Sequence, residues 1–160
     1  EIKNYKPAKE EVEAEISSFV GETLFFCTRN FVDFPELEIT QGEIKTETAI
    51  RDNEVILNVN YPISITKAGS TTVLKEFKDI KIQIRLGVVY DSIKEFNEQS
   101  INESICLSCA LNIALKNDLY VNMMDYDENT TIFIFRDENS VINNQTFNFV
   151  FANEYKGIER

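Results

Sequence analysis

The stretch Val55–Ile65 constrains the fold more than any other part of the chain. Val55, Leu57, Val59, Tyr61, Ile63 and Ile65 take every second position, and Asn58, Asn60, Ser64 and Thr66 fall between them. Side chains along a strand alternate between its two faces, so this pattern specifies a long strand with one buried and one wet face. A single strand cannot bury that face, so partners must be sought on either side. Pro62 lacks an N–H to donate and marks an edge position or a bulge.

The flanking segments supply those partners. Upstream, Ile44, Thr46, Thr48 and Ile50 alternate with Lys45, Glu47 and Arg51, and Asp52-Asn53 provide a turn. Downstream, Ala68-Gly69-Ser70 turn the chain, and Ile80, Ile82, Ile84 and Leu86 alternate with Lys81, Gln83 and Arg85 until Gly87 breaks the pattern. Before this meander, Val12, Ile16, Phe19, Val20, Thr23, Leu24 and Cys27 recur at helical spacing after Pro7. Glu10, Glu11, Glu13 and Glu15 load the first turns of that helix, where acids suit its dipole. Phe31, Phe34 and Pro35 end it.

After Gly87, Val89, Ile93 and Phe96 form one helical stripe. Ser104 is placed to cap a second helix carrying Ile105, Ala110, Leu111, Ala114 and Leu115. Leu119–Met124, the turn Asp127-Glu128-Asn129, Ile132–Phe135, a turn over Asn139–Gln145 and the run Phe147, Phe149, Phe151 close the chain with three more strands. The order is α-βββ-αα-βββ: one α+β domain over residues 1–160, an antiparallel sheet of about six strands packed against an N-terminal helix and a central helical pair.

Composition then removes function classes. There is no histidine, the residue most readily poised for proton transfer at neutral pH, so Ser-His-Asp, Cys-His and histidine-bearing zinc sites are excluded. With 27 acids against 16 bases the net charge is −11, which disfavours nucleic acid and anionic membrane surfaces as partners. Acids crowd the region 95–155, where Lys116 and Arg136 are the only bases. No apolar run approaches the length of a membrane span, and Gly21 and Glu22 interrupt the longest, Phe19–Phe26. No cofactor and no catalytic residue is expected.

Three cysteines leave several readings open. Cys106-Leu107-Ser108-Cys109 is a CxxC, the spacing of redox thiols, and three thiols would need a carboxylate to close a zinc site. Cys27 lies on the apolar stripe of the first helix, which fits a buried thiol or a disulfide to Cys106 or Cys109. Such a bridge would close a loop of about 80 residues, worth on the order of 4 kcal/mol by chain entropy. Hairpin-turn chemistry accounts for Asp125, Asp127 and Glu128 and for Asp137-Glu138; as a cation cluster the first three offer oxygens at alternating positions but no central Gly and no distant Glu, a weak signal. Asn102, Asn129 and Asn144 head N-glycosylation sequons in turns or helix junctions. Phe147, Phe149 and Phe151, with Phe133 and Phe135, read as a core face, a ligand pocket or an interface.

Several of these segments together resemble a group of exported archaeal proteins without assigned activity. The likeness rests on the acidic helix Glu10–Cys27, on Asn60-Tyr61-Pro62-Ile63 in its strand, and on Ile82-Gln83-Ile84-Arg85-Leu86-Gly87. It continues in the CxxC at Cys106, in Asp125-Tyr126-Asp127, and in Phe149-Val150-Phe151-Ala152-Asn153. Members carry an upstream hydrophobic helix similar to that of type IV pilins. The resemblance implies an extracytoplasmic domain held at the cell surface, here a segment of a longer exported chain. It implies no substrate and no site residues. The expectation is a non-catalytic surface domain with a structural, adhesive or filament-forming role, partnered by copies of itself or another surface protein. The alternative is a module that binds a small molecule, a glycan or a cation.

Overall fold

A computed structural model describes residues 6–99 and 106–154. The chain is α+β, and among the described residues it has three α-helices and two antiparallel sheets, of four and three strands. It divides into two compact units, one formed by Pro7–Ile50 and Val55–Ile82, the other by Arg51–Glu54 and the chain from Gln83.

In the first unit, α1 (Lys9–Thr28) begins at Ala8, whose N–H donates to the Glu11 carboxylate at 2.6 Å. It ends where Arg29 turns left-handed, φ 48°, and a short 3-10 turn (Arg29–Phe31) follows. Strands β1 (Glu38–Gln41) and β2 (Lys45–Ile50) lie end to end along one edge of β3 (Val55–Lys67), and β4 (Ser70–Ile82) pairs with its other edge. Strand β3 is therefore central, and Pro62 sits at a bulge in it rather than on an open edge. Its missing donor costs nothing there: on one side it falls opposite the β1–β2 connection, where its carbonyl accepts Gly42 N–H at 2.7 Å. On the other side the register with β4 slips between Asn60 and Ile63. Ala68 and Gly69, both at positive φ (49° and 81°), form the two-residue hairpin turn into β4.

Helix α1 lies over the β2–β3 part of the apolar face. Ser17 Oγ donates to Thr48 Oγ1 at 2.8 Å, the Glu13 carboxylate accepts Ile50 N–H at 2.8 Å, and Leu24 and Phe31 pack on Val59, Tyr61 and Ile63. The stripe it turns inward runs through Val12, Ile16, Val20 and Leu24. Phe19 and Cys27, expected on that stripe, are exposed.

In the second unit, α2 (Leu86–Gln99) and α3 (Leu107–Lys116) cover one face of β5 (Tyr120–Asp125), β6 (Thr130–Ile142) and β7 (Gln145–Glu154), with β6 in the centre. Phe96 of α2 meets Phe133, Phe135 and Phe151 at ring distances of 4.9, 6.5 and 6.3 Å. The phenylalanines are thus a packed interior. Gly87 begins α2 rather than stopping a strand: a Cβ there would stand 2.5 Å from the Arg51 carbonyl oxygen, which accepts the Gly87 N–H.

Other sequence expectations shift. The four residues of β1 had too little pattern to register, and β4 starts ten residues before the alternation at Ile80. Strand β6 runs on to Ile142 through a bulge at Glu138–Ser140, and the turn is only Asn143-Asn144, both left-handed. In α3 the inward positions are Ala110, Ile113 and Ala114, while Leu111 and Leu115 face solvent. The proposed cap Ser104 lies outside the described residues, and Cys106 occupies the cap position.

Candidate functional site

The sheet of the first unit is only partly covered, and the uncovered part is β4. Residues paired across an antiparallel ladder share a face, so Leu74, Phe77 and Ile80 extend the apolar face of Ile63, Val59 and Leu57. Their partners on β3 are 5%, 5% and 8% exposed, whereas Leu74, Phe77 and Ile80 are 44%, 39% and 41% exposed. Helix α1 stops short of them. The outer edge of β4 pairs with no strand among the described residues, so every second residue of this thirteen-residue strand offers its backbone N–H and C=O along an open edge.

Two compensating register shifts shape this edge. One lies opposite Tyr61 and Pro62, the other at Lys78–Asp79, where Asp79 takes φ 54° and its N–H donates to Asn58 Oδ1 at 3.0 Å. Charges alternate around Phe77 as Lys75, Glu76, Lys78 and Asp79. The Lys78 ammonium donates to Glu76 at 2.7 Å, and this hydrogen bond holds Glu76 below, and Lys78 above, the ordinary values.

Cysteine pairing differs from the long-range bridge entertained above. The sulfurs of Cys106 and Cys109 are bonded to each other, and Cys27 is an exposed free thiol. Cys106 Sγ also accepts the Cys109 N–H at 3.2 Å, so the cysteine does the work of an N-cap on α3.

A third cluster is buried. Asp137 is 0% exposed and takes both fork nitrogens of Arg85, with Arg85 Nη2 to Oδ1 at 2.6 Å and Nε to Oδ2 at 3.0 Å. Ser140 Oγ donates to the same carboxylate and accepts the Arg85 N–H at 2.8 Å, while Arg85 also donates to the carbonyls of Asn117 and Asp118. Burial pushes the Asp137 carboxyl up, but the hydrogen bonds from Arg85, Ser140 and the Asn139 N–H together outweigh it and hold it below the ordinary carboxylate value. Asp137, which turn chemistry alone would place at an exposed hairpin, is instead buried within β6. Its partner lies 52 residues away, and no local signal announces the pair. The arrangement ties the α2 approach, the α3–β5 link and the β6 bulge together.

The remaining candidates stay apart. Asp125, Asp127 and Glu128 are exposed, and among the described residues no group of three acids or cysteines gathers as a metal cage. Asp127 Oδ1 accepts the Asn129 N–H at 2.8 Å, and that bond, followed by those from Thr130, lowers its pKa. Asn129 and Asn144 are exposed in the β5–β6 and β6–β7 turns, and Asn102 lies outside the described residues. Among the described residues no helix is long and apolar enough to cross a membrane. No family model matches the chain, and neither a curated protein nor a solved structure does.

Proposed function

We propose that this chain is a non-catalytic, extracytoplasmic surface domain that assembles with other protein through the open edge and bare apolar margin of β4. The observation that carries the reading is the contrast across one ladder: buried residues on β3 face exposed apolar partners on β4, beside an edge that no strand among the described residues covers. β-Strand addition at such an edge supplies main-chain hydrogen bonds and covers the apolar row together. The Cys106–Cys109 disulfide supports an oxidising compartment, and the exposed Asn129 and Asn144 stand where glycans can be carried. The resemblance to pilin-anchored exported proteins agrees with that location. Asp137, the one deeply buried acid among the described residues, is paired with Arg85, which gives it a structural role.

Labelling intact cells of the natural source with a membrane-impermeant amine reagent tests both halves. The reading expects Lys45 and Lys116 to be labelled and Lys75 and Lys78 to be protected until the assembly is dissociated. Labelling only after lysis would refute the location. Equal labelling of all four on intact cells would refute the use of β4.

A further inference from the structure

The Cys106–Cys109 pair is chemistry that assembly through β4 does not use. We propose that this disulfide is exchangeable rather than structural, and that through it the chain oxidises a pair of thiols on another molecule. The β4 edge plays no part in this activity.

A disulfide stabilises a fold mainly by closing a long loop in the unfolded chain, and this one joins residues only three apart. So short a ring adds little to folding, which leaves the chemistry of the bond as its use. The pair stands at the start of α3, a helix of ten residues. Cys106 is the N-cap, and its carbonyl accepts the Ala110 N–H at 3.1 Å. Its side chain occupies the place where a serine or aspartate oxygen would accept a free donor of the first turn. Two donors converge on this sulfur: the Cys109 N–H at 3.2 Å and the Ser108 hydroxyl at 3.6 Å, within bonding reach of the larger sulfur atom. Helix α3 itself carries no acid, and its one charged residue, Lys116, lies at the far end. A sulfur so placed holds negative charge better than an ordinary thiol. Both cysteines are half-buried, and Leu107 and Ser108 between them are exposed, so the pair is open to an incoming thiolate.

The reaction balances within the two molecules. A substrate thiolate attacks the Cys109 sulfur, the Cys106–Cys109 bond breaks, and Cys106 departs as the thiolate that its two donors stabilise. A second substrate thiolate attacks the substrate sulfur now joined to Cys109, which forms the substrate's own disulfide and releases Cys109. Two electrons pass from the substrate to the pair, and the two protons of the substrate thiols end on Cys106 and Cys109. One round needs no other oxidant. The same donors that help Cys106 depart also stabilise the reduced pair, so the disulfide is a ready oxidant rather than an inert staple.

The test is redox equilibrium of the folded chain, with Cys27→Ser to keep the thiol count simple. Protein is equilibrated with graded ratios of reduced to oxidised glutathione, quenched in acid, alkylated and weighed, while circular dichroism follows the fold. The pair is expected to open across the glutathione series with the fold intact. A pair that stays closed until the protein unfolds overturns the proposal. Ser108→Ala removes one donor at an exposed position and is expected to move the equilibrium about threefold toward the disulfide, with the thermal melt unchanged. An equilibrium unmoved by that change overturns Cys106 as the activated sulfur. Faster reduction by a peptide bearing two cysteines than by glutathione, at equal thiol concentration, supports the exchange and identifies a protein as the thiol source; the reverse supports it with a small thiol as the source. None of these outcomes bears on the protection of Lys75 and Lys78 on cells, so failure here and failure of the β4 reading are told apart.

Discussion

Changing Asp137 to Asn removes one charge from a buried cluster without altering its shape. The carboxylate is 0% exposed and Arg85 is 20% exposed, so the guanidinium left behind keeps only limited access to water. Breaking a buried pair from one side costs roughly 3–5 kcal/mol. The partial exposure of Arg85 and its surviving bonds to the Asn117 and Asp118 carbonyls reduce this to about 2–4 kcal/mol. With a urea slope of ~2 kcal/mol/M, the midpoint should fall by about 1–2 M. Far-UV circular dichroism reports the transition, and hydrogen exchange over β6 places the loss in the second unit. The sign of the pH dependence follows from the carboxyl being held below its unfolded value of about 3.9. Its contribution is fully present above about pH 4 and is lost as pH falls through the lower folded-state value. Asp137→Asn should therefore flatten the acid limb of the stability curve. Arg85→Met with Asp137→Leu should recover part of the loss, because no charge is then stranded. An Asp137→Asn protein within about 0.5 kcal/mol of wild type, with an unchanged acid limb, would refute the assignment of this pair as a structural tie.

Other substitutions test other parts of the account. Gly87→Ala places a methyl 2.5 Å from the Arg51 carbonyl oxygen, a backbone atom that cannot swing aside, and should cost about 1–3 kcal/mol in a thermal melt. Cys106→Ser with Cys109→Ser opens a four-residue ring, and chain entropy sets the loss at no more than about 2 kcal/mol; in the wild type, mass spectrometry should find Cys27 alone alkylated before reduction and all three cysteines after it. Cys27→Ser, at an exposed site, should leave stability within about 0.5 kcal/mol. Ala68→Asn exchanges a residue at φ 49° for one that tolerates left-handed backbone, and should raise stability by about 0.5–1 kcal/mol.

What could be read from the residues alone depended on how far each segment obeyed one period. Strand β3 was legible because every buried position from Val55 to Ile63 keeps period two and the strand is central. Strand β4 was legible only at its end. The two register shifts move Phe77 out of phase with Leu74 and Ile80, so residues on one face do not alternate in sequence. In α3 the expected stripe joined Ala110 and Ala114 to Leu111 and Leu115; the core takes the two alanines with Ile113, and the leucines, one position further round the helix, face solvent. The α+β class survived these errors because it needs only element types. The division into two sheets did not show, because alternation says which face is buried and not which strand lies beside it. The β4 edge is hidden for the same reason: Pro62 fits an edge or a bulge, and only the pairing shows that β3 holds the bulge while the edge belongs to β4.

The central claim is that the outer edge of β4 is open in the lone chain and covered on assembly. Hydrogen exchange resolved by peptide, on the lone chain and on the assembly isolated from the natural source, tests it most directly. The account predicts that the lone chain exchanges the outward-facing amides of residues 70–82 quickly, and that exchange there is slowed in the assembly while β5 and β7 are unchanged. Slow exchange along β4 in the lone chain, or exchange unaltered in the assembly, would contradict it.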